Sequence, residues 1–180
     1  STKSDRRYKK QIIFAGRLSS EKGVDVLSDL AKILPSDINL IILGSGPKEN
    51  LIKNIKKSNV SYFGYLPKNE TISLIRGSDI LIQPSKIEGV SSTILEAMAC
   101  KVPVITTNVG GNKEIIEHNK TGILIEPNNS KKLLDEILNL FINSKIKNEL
   151  INSAYIDVQK YDWKYVGKLY LDLYDELLKS

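Results

Sequence analysis

Residues 83–100 read QPSKIEGVSSTILEAMAC, and the organisation of the whole chain can be inferred outward from this segment. It joins a short apolar run to a segment in which apolar residues recur every three or four positions, as in a helix with one buried face. Ser91 and Ser92 stand where that helix would begin, and serine is favoured there because its hydroxyl can satisfy a free backbone N–H. A strand, a loop and a helix are therefore expected here in direct succession.

Two glutamates flank the start of this helix, Glu88 in the loop and Glu96 on the helix. Eight helical residues span about 12 Å, whereas the two carboxyl groups of a retaining glycosidase lie about 5 Å apart across one bond. We therefore expect the carboxylates to meet opposite ends of a long ligand, with the helix start near its middle.

The start of a helix favours phosphate, because its N–H groups are free and its dipole end is positive. Carboxylates accept hydrogen bonds from hydroxyl groups. Together these features suggest a ligand with hydroxyls at both ends and phosphate between them, which is the chemistry of a nucleotide-sugar. The alternative is an ordinary helix with a serine cap and one exposed glutamate.

The composition is that of a globular domain, with 180 residues of which 41% are hydrophobic and 26% charged. The net charge of +5 is spread along the chain without a stripe of interleaved aromatic residues, so we expect no nucleic-acid partner. An anionic small ligand, an acidic membrane surface or simply a lysine-rich composition would each explain this charge. With one cysteine and no apolar run of about 20 residues, we expect a cytoplasmic location, at the inner membrane face if the full-length protein associates peripherally with the membrane.

Short apolar runs alternate with segments of helical periodicity along the chain. The predicted strands are residues 12–15, 39–43, 60–63, 80–83, 104–107 and 121–125. This alternation predicts an α/β fold with a parallel sheet of about six strands and helices on both faces. Residues 1–10 are polar and basic, which is typical of a linker or the edge of a longer protein.

Two cations, Arg17 and Lys22, lie on the loop after the first predicted strand. Ligands of parallel sheets bind at the carboxyl ends of the strands, so these cations could neutralise a diphosphate there without a metal. We expect no metal site, because ligands are scarce and His118, the single histidine, reads as exposed and structural. Serines without a histidine partner argue against a serine hydrolase.

Several short motifs occur in order along the chain, namely GRLS at 16–19, EKG at 21–23, EGV at 88–90, LEAMA at 95–99 and VGG at 109–111, together with Glu114, Gly122 and Trp163. Taken together, they resemble the C-terminal half of the family-four glycosyltransferases. The two glutamates separated by seven residues, Glu88 and Glu96, match the pattern of that family. The resemblance covers about residues 10–178.

The resemblance implies the GT-B architecture, in which two Rossmann-like domains enclose a cleft and the C-terminal domain binds a nucleoside-diphosphate sugar. On this basis residues 11–160 would form the Rossmann-like donor-binding domain, and transfer would retain the anomeric configuration without a metal or other cofactor. Glu88 would be the catalytic residue that meets the hydroxyls of the donor sugar. The implied donor-binding residues are Gly16, Arg17, Lys22, Tyr65, Leu66, Gly89, Val90, Ser91, Ser92 and Glu96.

Within that set, Arg17 and Lys22 would hold the diphosphate and Glu96 the ribose. Tyr65 and Leu66 lie where the base is usually held, and residues 89–92 would offer backbone N–H groups to sugar and phosphate. The sequence departs from the family at Ser91, where many members have glycine.

The acceptor-binding half of such an enzyme, with its histidine, is absent from this sequence. The fragment is therefore expected to bind a nucleoside diphosphate weakly and to transfer little or nothing. Residues 161–180 would form a helix that packs back towards the missing N-terminal domain. Two alternatives stay open, namely a nucleotide-sugar epimerase of the same architecture and a non-catalytic phosphate-binding or signalling module.

Overall fold

Short runs rich in isoleucine, leucine and valine form one six-stranded sheet in the computed structural model, which describes residues 9–177. All neighbouring strands are parallel. The strands are β1 (Lys10–Ala15), β2 (Ile38–Leu43), β3 (Val60–Gly64), β4 (Ile80–Gln83), β5 (Val104–Thr107) and β6 (Ile123–Ile125). Every residue of β2, β4 and β5 is buried, as expected for strands covered by helices on both faces.

Helices cover both faces of the sheet and create two apolar cores. They are α1 (Val24–Ile33), α2 (Glu49–Lys53), α3 (Lys68–Gly77), α4 (Ser92–Ala99), α5 (Asn112–Ile115), α6 (Ser130–Ile142), α7 (Ser144–Asp157), a 3₁₀ helix (Val158–Tyr161) and α8 (Trp163–Leu177). Helices α1, α2 and α6 pack against one face, and α3, α4 and α5 against the other. The predicted three-layer α/β fold is confirmed.

The strand order is β3-β2-β1-β4-β5-β6. From β1 the chain adds β2 and β3 on one side and then β4, β5 and β6 on the other, so the order of strands reverses between β1 and β4 although all strands stay parallel. Loops that follow these two strands leave the sheet in opposite directions, and in doubly wound sheets this reversal opens a crevice where ligands bind. The loop of residues 16–23 after β1 and the loop of residues 84–91 after β4 flank that crevice. Residues 83–100 therefore lie at the centre of the fold.

Some predicted boundaries differ from the structure. Proline is favoured in the first turn of a helix, so Pro47 predicts a helix that runs to about residue 57, whereas α2 spans Glu49–Lys53. Beyond it, Lys57 donates from Nζ to the carbonyl oxygen of Leu34 at 2.8 Å, so this segment is tied to the end of α1 instead of continuing as helix. Strand β6 begins at Ile123, two residues later than predicted, because the Thr121 hydroxyl accepts a hydrogen bond from the Glu117 N–H in a turn.

The two ends of the chain are only partly described. Residues 1–8 of the predicted linker lie outside the described residues, and β1 already begins at Lys10. The predicted C-terminal helix is present as α8, and residues 178–180 lie outside the described part. Between residues 9 and 177, no helix combines the length and the apolar character needed to cross a membrane.

The loops at the carboxyl ends of β1, β2 and β3 contact one another through their backbones. The N–H of Gly44 donates to the carbonyl oxygen of Gly64 at 2.7 Å. Gly44 has a φ of +118°, and a Cβ at this position would lie 1.9 Å from the carbonyl oxygen of Gly16. Only glycine permits this approach, so one side of the crevice is fixed by backbone packing.

We expect Gly44→Ala to lower the free energy of unfolding by about 3 kcal/mol, because it combines a positive φ with backbone overlap. Gly64→Ala is the matched control, since Gly64 also has a positive φ of +70°, but a Cβ there would lie 4.0 Å from its nearest neighbour, the Tyr62 hydroxyl. That variant should lose only about 1 kcal/mol. Chemical denaturation measures both values, and equal losses would contradict the overlap at Gly44.

Candidate functional site

The two loops that flank the crevice are joined by direct contacts. The carbonyl oxygen of Glu21 accepts hydrogen bonds from the N–H groups of Lys86 and Ile87, at 2.7 and 3.2 Å. The ammonium of Lys86 also pairs with the carboxylate of Asp25 at the start of α1. These contacts bring the predicted phosphate-binding loop and the predicted sugar-binding loop to one place.

At this junction the side chains of Lys22 and Glu88 form an ion pair. The ammonium nitrogen lies 2.6 Å from each of the two carboxylate oxygens. The side chain of Glu88 is only 7% exposed, and that of Lys22 is 26% exposed. The buried Ser85 hydroxyl donates a further hydrogen bond to Oε2 of Glu88 at 3.0 Å. A nearly buried carboxylate is thus compensated by one cation and one hydroxyl, as its desolvation requires.

The backbone of Glu88 is fixed by the loop after β5. The N–H of Gly111 donates to the carbonyl oxygen of Glu88 at 3.2 Å. Gly110 has a φ of +48°, and a Cβ there would lie 1.8 Å from the same oxygen. The Thr107 hydroxyl donates to the carbonyl oxygen of Ser85. From the sequence, Gly110 is one of several glycines that follow a predicted strand, and two glycines directly after a strand already indicate a close backbone approach.

The loop beyond Glu88 presents a run of free backbone donors. Within residues 9–177, the N–H groups of residues 89–93 have no hydrogen-bond acceptor. This run ends in the first turn of α4, an eight-residue helix whose dipole is positive at this end. Residues 89 and 90 are exposed, so an anion could approach from solvent.

Ser91 is the N-cap of α4, but the predicted cap through its hydroxyl is wrong. The side chain makes no cap hydrogen bond, and the residue is 5% exposed. As in other N-cap residues, the carbonyl oxygen of Ser91 accepts the first hydrogen bonds of the helix, here from the N–H groups of Ile94 and Leu95. Ser92 is exposed at the first helical position. The missing cap is one reason why donors at this helix start stay free.

A shallow groove at the carboxyl ends of β1 and β2 adjoins this helix start. It is lined by Gly16, Tyr65 and Leu66, and by Thr93 from the first turn of α4. Arg17 lies at an adjoining opening that shares Gly16 and Tyr65. Predicted base-binding and phosphate-binding residues therefore lie together, and Tyr65 is 76% exposed in this groove.

The charge of Arg17 acts on its neighbour Glu21. The pKa of Glu21 is lowered, first by a hydrogen bond with Ser19, next by the backbone N–H of Glu21 itself, and to a smaller extent by Arg17. Unlike Lys22, the guanidinium of Arg17 makes no ion pair within 4 Å with a carboxylate among the described residues. Arg17 therefore remains available to an anionic ligand.

Glu96 lies apart from this arrangement. Its carboxylate is 3.3 Å from the ammonium of Lys68, at the start of α3, and its side chain is 22% exposed. It lines a second groove together with Tyr155 and Tyr161, and is not among the residues that line the groove beside Gly16. Each of the two predicted glutamates thus forms an ion pair with a different lysine. Lys68 was not identified from the sequence, because its position relative to Glu96 depends on the tertiary fold.

His118 has a structural role, since its Nδ1 accepts a hydrogen bond at 3.0 Å from the N–H of Leu124 in β6. Across the described chain, no group of three or more His, Cys, Asp or Glu side chains is arranged to hold a metal ion.

Comparison with known proteins gives a consistent result. Residues 3–157 match the family model described as glycosyl transferases group 1. An uncharacterised glycosyltransferase of Methanocaldococcus jannaschii is 34% identical over 171 residues, which cover 91% of this chain and 48% of the relative. The chain therefore spans about half the length of the curated relatives it matches.

Two solved structures extend this comparison. The C-terminal domain of a glycosyl transferase group 1 family protein of Francisella tularensis is 28% identical, with a TM-score of 0.78 over 87% of this chain and 88% of that one. An Anabaena protein in complex with UDP-glucose has a TM-score of 0.81 at 22% identity, over 92% of this chain and 48% of that chain. The latter likeness concerns the fold alone.

The Lys22–Glu88 pair predicts unequal effects of removing either partner. Lys22→Met should lower the free energy of unfolding by about 3 kcal/mol, because it leaves a nearly buried carboxylate without its cation. Glu88→Gln should cost about 1 kcal/mol, since the released ammonium can turn to water. Combining them should cost less than the sum of the single losses. Additive losses in urea denaturation would show that the two groups are not coupled.

Asp25 predicts a pH dependence of stability. Partial burial acts to raise the pKa of Asp25, but the hydrogen bond and charge of Lys86 outweigh it, so the pKa lies below its ordinary value. Such a carboxylate stabilises the fold above its ordinary pKa, and this contribution is lost as the pH falls through the lowered value. The stability difference between the wild type and Asp25→Asn should therefore shrink as the pH falls from about 5 to about 3. Lys86→Met should show the same trend, and a difference independent of pH would contradict it.

Proposed function

The chain belongs to the glycosyl transferases group 1 family, and on that premise we propose that it is the donor-binding domain of a retaining glycosyltransferase. The full-length enzyme would transfer a sugar from a nucleoside-diphosphate sugar to an acceptor. One observation carries this proposal: the free N–H groups of residues 89–93 end at a helix start beside Lys22 and the groove of Gly16 and Tyr65.

The chemical role of this edge is electrostatic. As the bond between sugar and diphosphate breaks, negative charge develops on the departing nucleoside diphosphate. Arg17, Lys22 and the start of α4 would stabilise that charge, because preorganised donors need little rearrangement when it forms. These groups supply positive charge from the protein itself, so we propose that transfer needs no metal.

The remaining residues would position the other parts of the donor. Glu88 would accept hydrogen bonds from sugar hydroxyls and hold the sugar as it becomes cationic, and residues 89–92 would donate to sugar and phosphate. The exposed ring of Tyr65, beside Leu66, offers a surface on which a base can stack. Glu96 would bind the ribose, for which it must exchange or share its contact with Lys68.

The acceptor would be bound by the part of the enzyme that lies outside this chain. Helix α8 supports this proposal, because it exposes Tyr165, Tyr170, Leu171 and Tyr174, which are between 51% and 66% exposed. We propose that α8 packs against that other part. We also propose a cytoplasmic location, at the inner membrane face if the full-length protein associates with the membrane.

The proposal predicts weak binding of a nucleoside diphosphate to this chain. Titration with UDP, GDP and ADP should identify at least one ligand that binds at millimolar concentration or below, because several charge-assisted hydrogen bonds are available. Arg17→Ala should weaken that ligand about tenfold. Lys120→Ala is the control, since it removes an equal charge near the amino end of β6. Absence of binding by all three nucleotides would contradict a donor site.

Product analysis in the full-length protein separates transfer from epimerisation, the nearest alternative. A glycosyltransferase should form a new glycoside only when an acceptor is added, with the anomeric configuration of the donor. An epimerase would change the donor sugar without an acceptor. A signalling module would do neither.

A further inference from the structure

The carboxylate of Glu88 is paired with Lys22, the cation that a diphosphate would need. The Lys22 ammonium lies 2.6 Å from both carboxylate oxygens, so each charge is already neutralised by the other. A ligand that offers only phosphate must compete with this carboxylate for Lys22. The affinity of this edge for a phosphate ligand therefore depends on which donors remain for the Glu88 carboxylate once Lys22 has moved away.

The carboxylate cannot follow the lysine or reach water easily. Its side chain is 7% exposed, and its backbone is fixed by the Gly111 N–H and by close packing against Gly110. Lys22 is the mobile partner, because its side chain is long and 26% exposed. When Lys22 turns to a phosphate, the Ser85 hydroxyl is the protein donor that remains on Glu88 among the described residues. A buried carboxylate with so few donors is unfavourable.

We propose that the Lys22–Glu88 pair makes this site discriminate between a nucleoside diphosphate that carries a sugar and one that does not. This inference rests on the proposed function. With the sugar present, its hydroxyls donate to Glu88 while Lys22 moves to the diphosphate, so both partners are compensated. With the bare nucleoside diphosphate, Lys22 can compensate either the phosphate or the carboxylate of Glu88. Whichever of these two negative charges Lys22 does not contact is left with too few donors.

The same exchange would assist product release. Once the sugar has been transferred, the hydroxyls that compensated Glu88 leave with the new glycoside. Lys22 is then drawn back to the carboxylate, and the hold on the nucleoside diphosphate weakens. The pair would therefore favour binding of the sugar-bearing nucleoside diphosphate before transfer and weaken binding of the bare nucleoside diphosphate after it.

Calorimetric titration of the 180-residue chain with matched ligands tests this inference. The pairs are UDP with UDP-glucose, GDP with GDP-mannose and ADP with ADP-glucose, and the pair that binds tightest to the wild type is used for the variants. The wild type should bind the sugar-bearing member more tightly than the bare one. Thermal unfolding of each variant establishes that it is folded.

Glu88→Gln should bind the bare nucleoside diphosphate about tenfold more tightly than the wild type, because Lys22 is no longer held by a carboxylate. The preference for the sugar-bearing ligand should shrink accordingly. Ser85→Ala should have the opposite effect and weaken the bare ligand, since Glu88 loses the donor that remains when Lys22 leaves.

Asp37→Asn is the matched control. Asp37 pairs with Lys10 at 2.8 Å at the amino end of the sheet, so the variant removes the same charge from a lysine pair away from the crevice. It should leave both affinities unchanged. An equal gain in Asp37→Asn would attribute the effect to net charge and overturn the inference.

The outcomes also separate this inference from the proposed function. A wild type that binds none of the six ligands contradicts both. A wild type that binds them, with a folded Glu88→Gln whose affinity for the bare nucleotide is unchanged or lower, overturns the exchange and leaves the donor site intact. If Glu88→Gln does not fold, Ser85→Ala decides, and unchanged or tighter binding of the bare nucleotide overturns the exchange.

Discussion

Backbone-to-backbone contact between loops holds together the edge of the sheet where the candidate site lies. At the carboxyl edge of the sheet, Gly44 packs against the carbonyl of Gly16 and Gly110 against that of Glu88, at distances that exclude any side chain. Because these contacts join loops that follow different strands, they turn a set of separate turns into one continuous surface. The position of each functional side chain on that surface is set by strand order and by these contacts, with little freedom left to the loop itself.

The positive potential at this edge does not come mainly from its lysine side chains. Glu88 at this edge is paired with Lys22, and Glu96, farther along α4 and beside a different groove, is paired with Lys68, so these four charges largely cancel. The positive potential for an anion comes instead from Arg17 and from the free N–H groups that lead into α4. Since backbone donors carry no net charge, the overall charge of +5 says little about the strength of this site.

Paired charges are also the basis of the exchange proposed for Lys22 and Glu88. A buried ion pair contributes little net stability, because the desolvation of both groups offsets their attraction. Its partners can therefore be exchanged at modest cost when a ligand replaces both at once, and at high cost when it replaces only one. This asymmetry is the physical basis of the exchange proposed above, in which one ligand supplies phosphate to Lys22 and hydroxyls to Glu88.

Local sequence was enough to establish the elements and their order. The bounds of β4 and β5 were predicted residue for residue, and the start of α4 at Ser92 was expected, because periodicity and local propensity act over a few neighbouring positions. From the alternation of strands and helices it also followed that Arg17, Lys22 and the helix start share one edge. Only the folded chain reveals that Lys22 pairs with Glu88, 66 positions away, and Glu96 with Lys68. In the folded chain the Ser91 hydroxyl makes no cap hydrogen bond to α4, and α2 ends at Lys53, before the predicted end near residue 57. The physical reason is that an ion pair depends on distances set by strand order and loop packing, which residue types and their spacing along the chain do not contain.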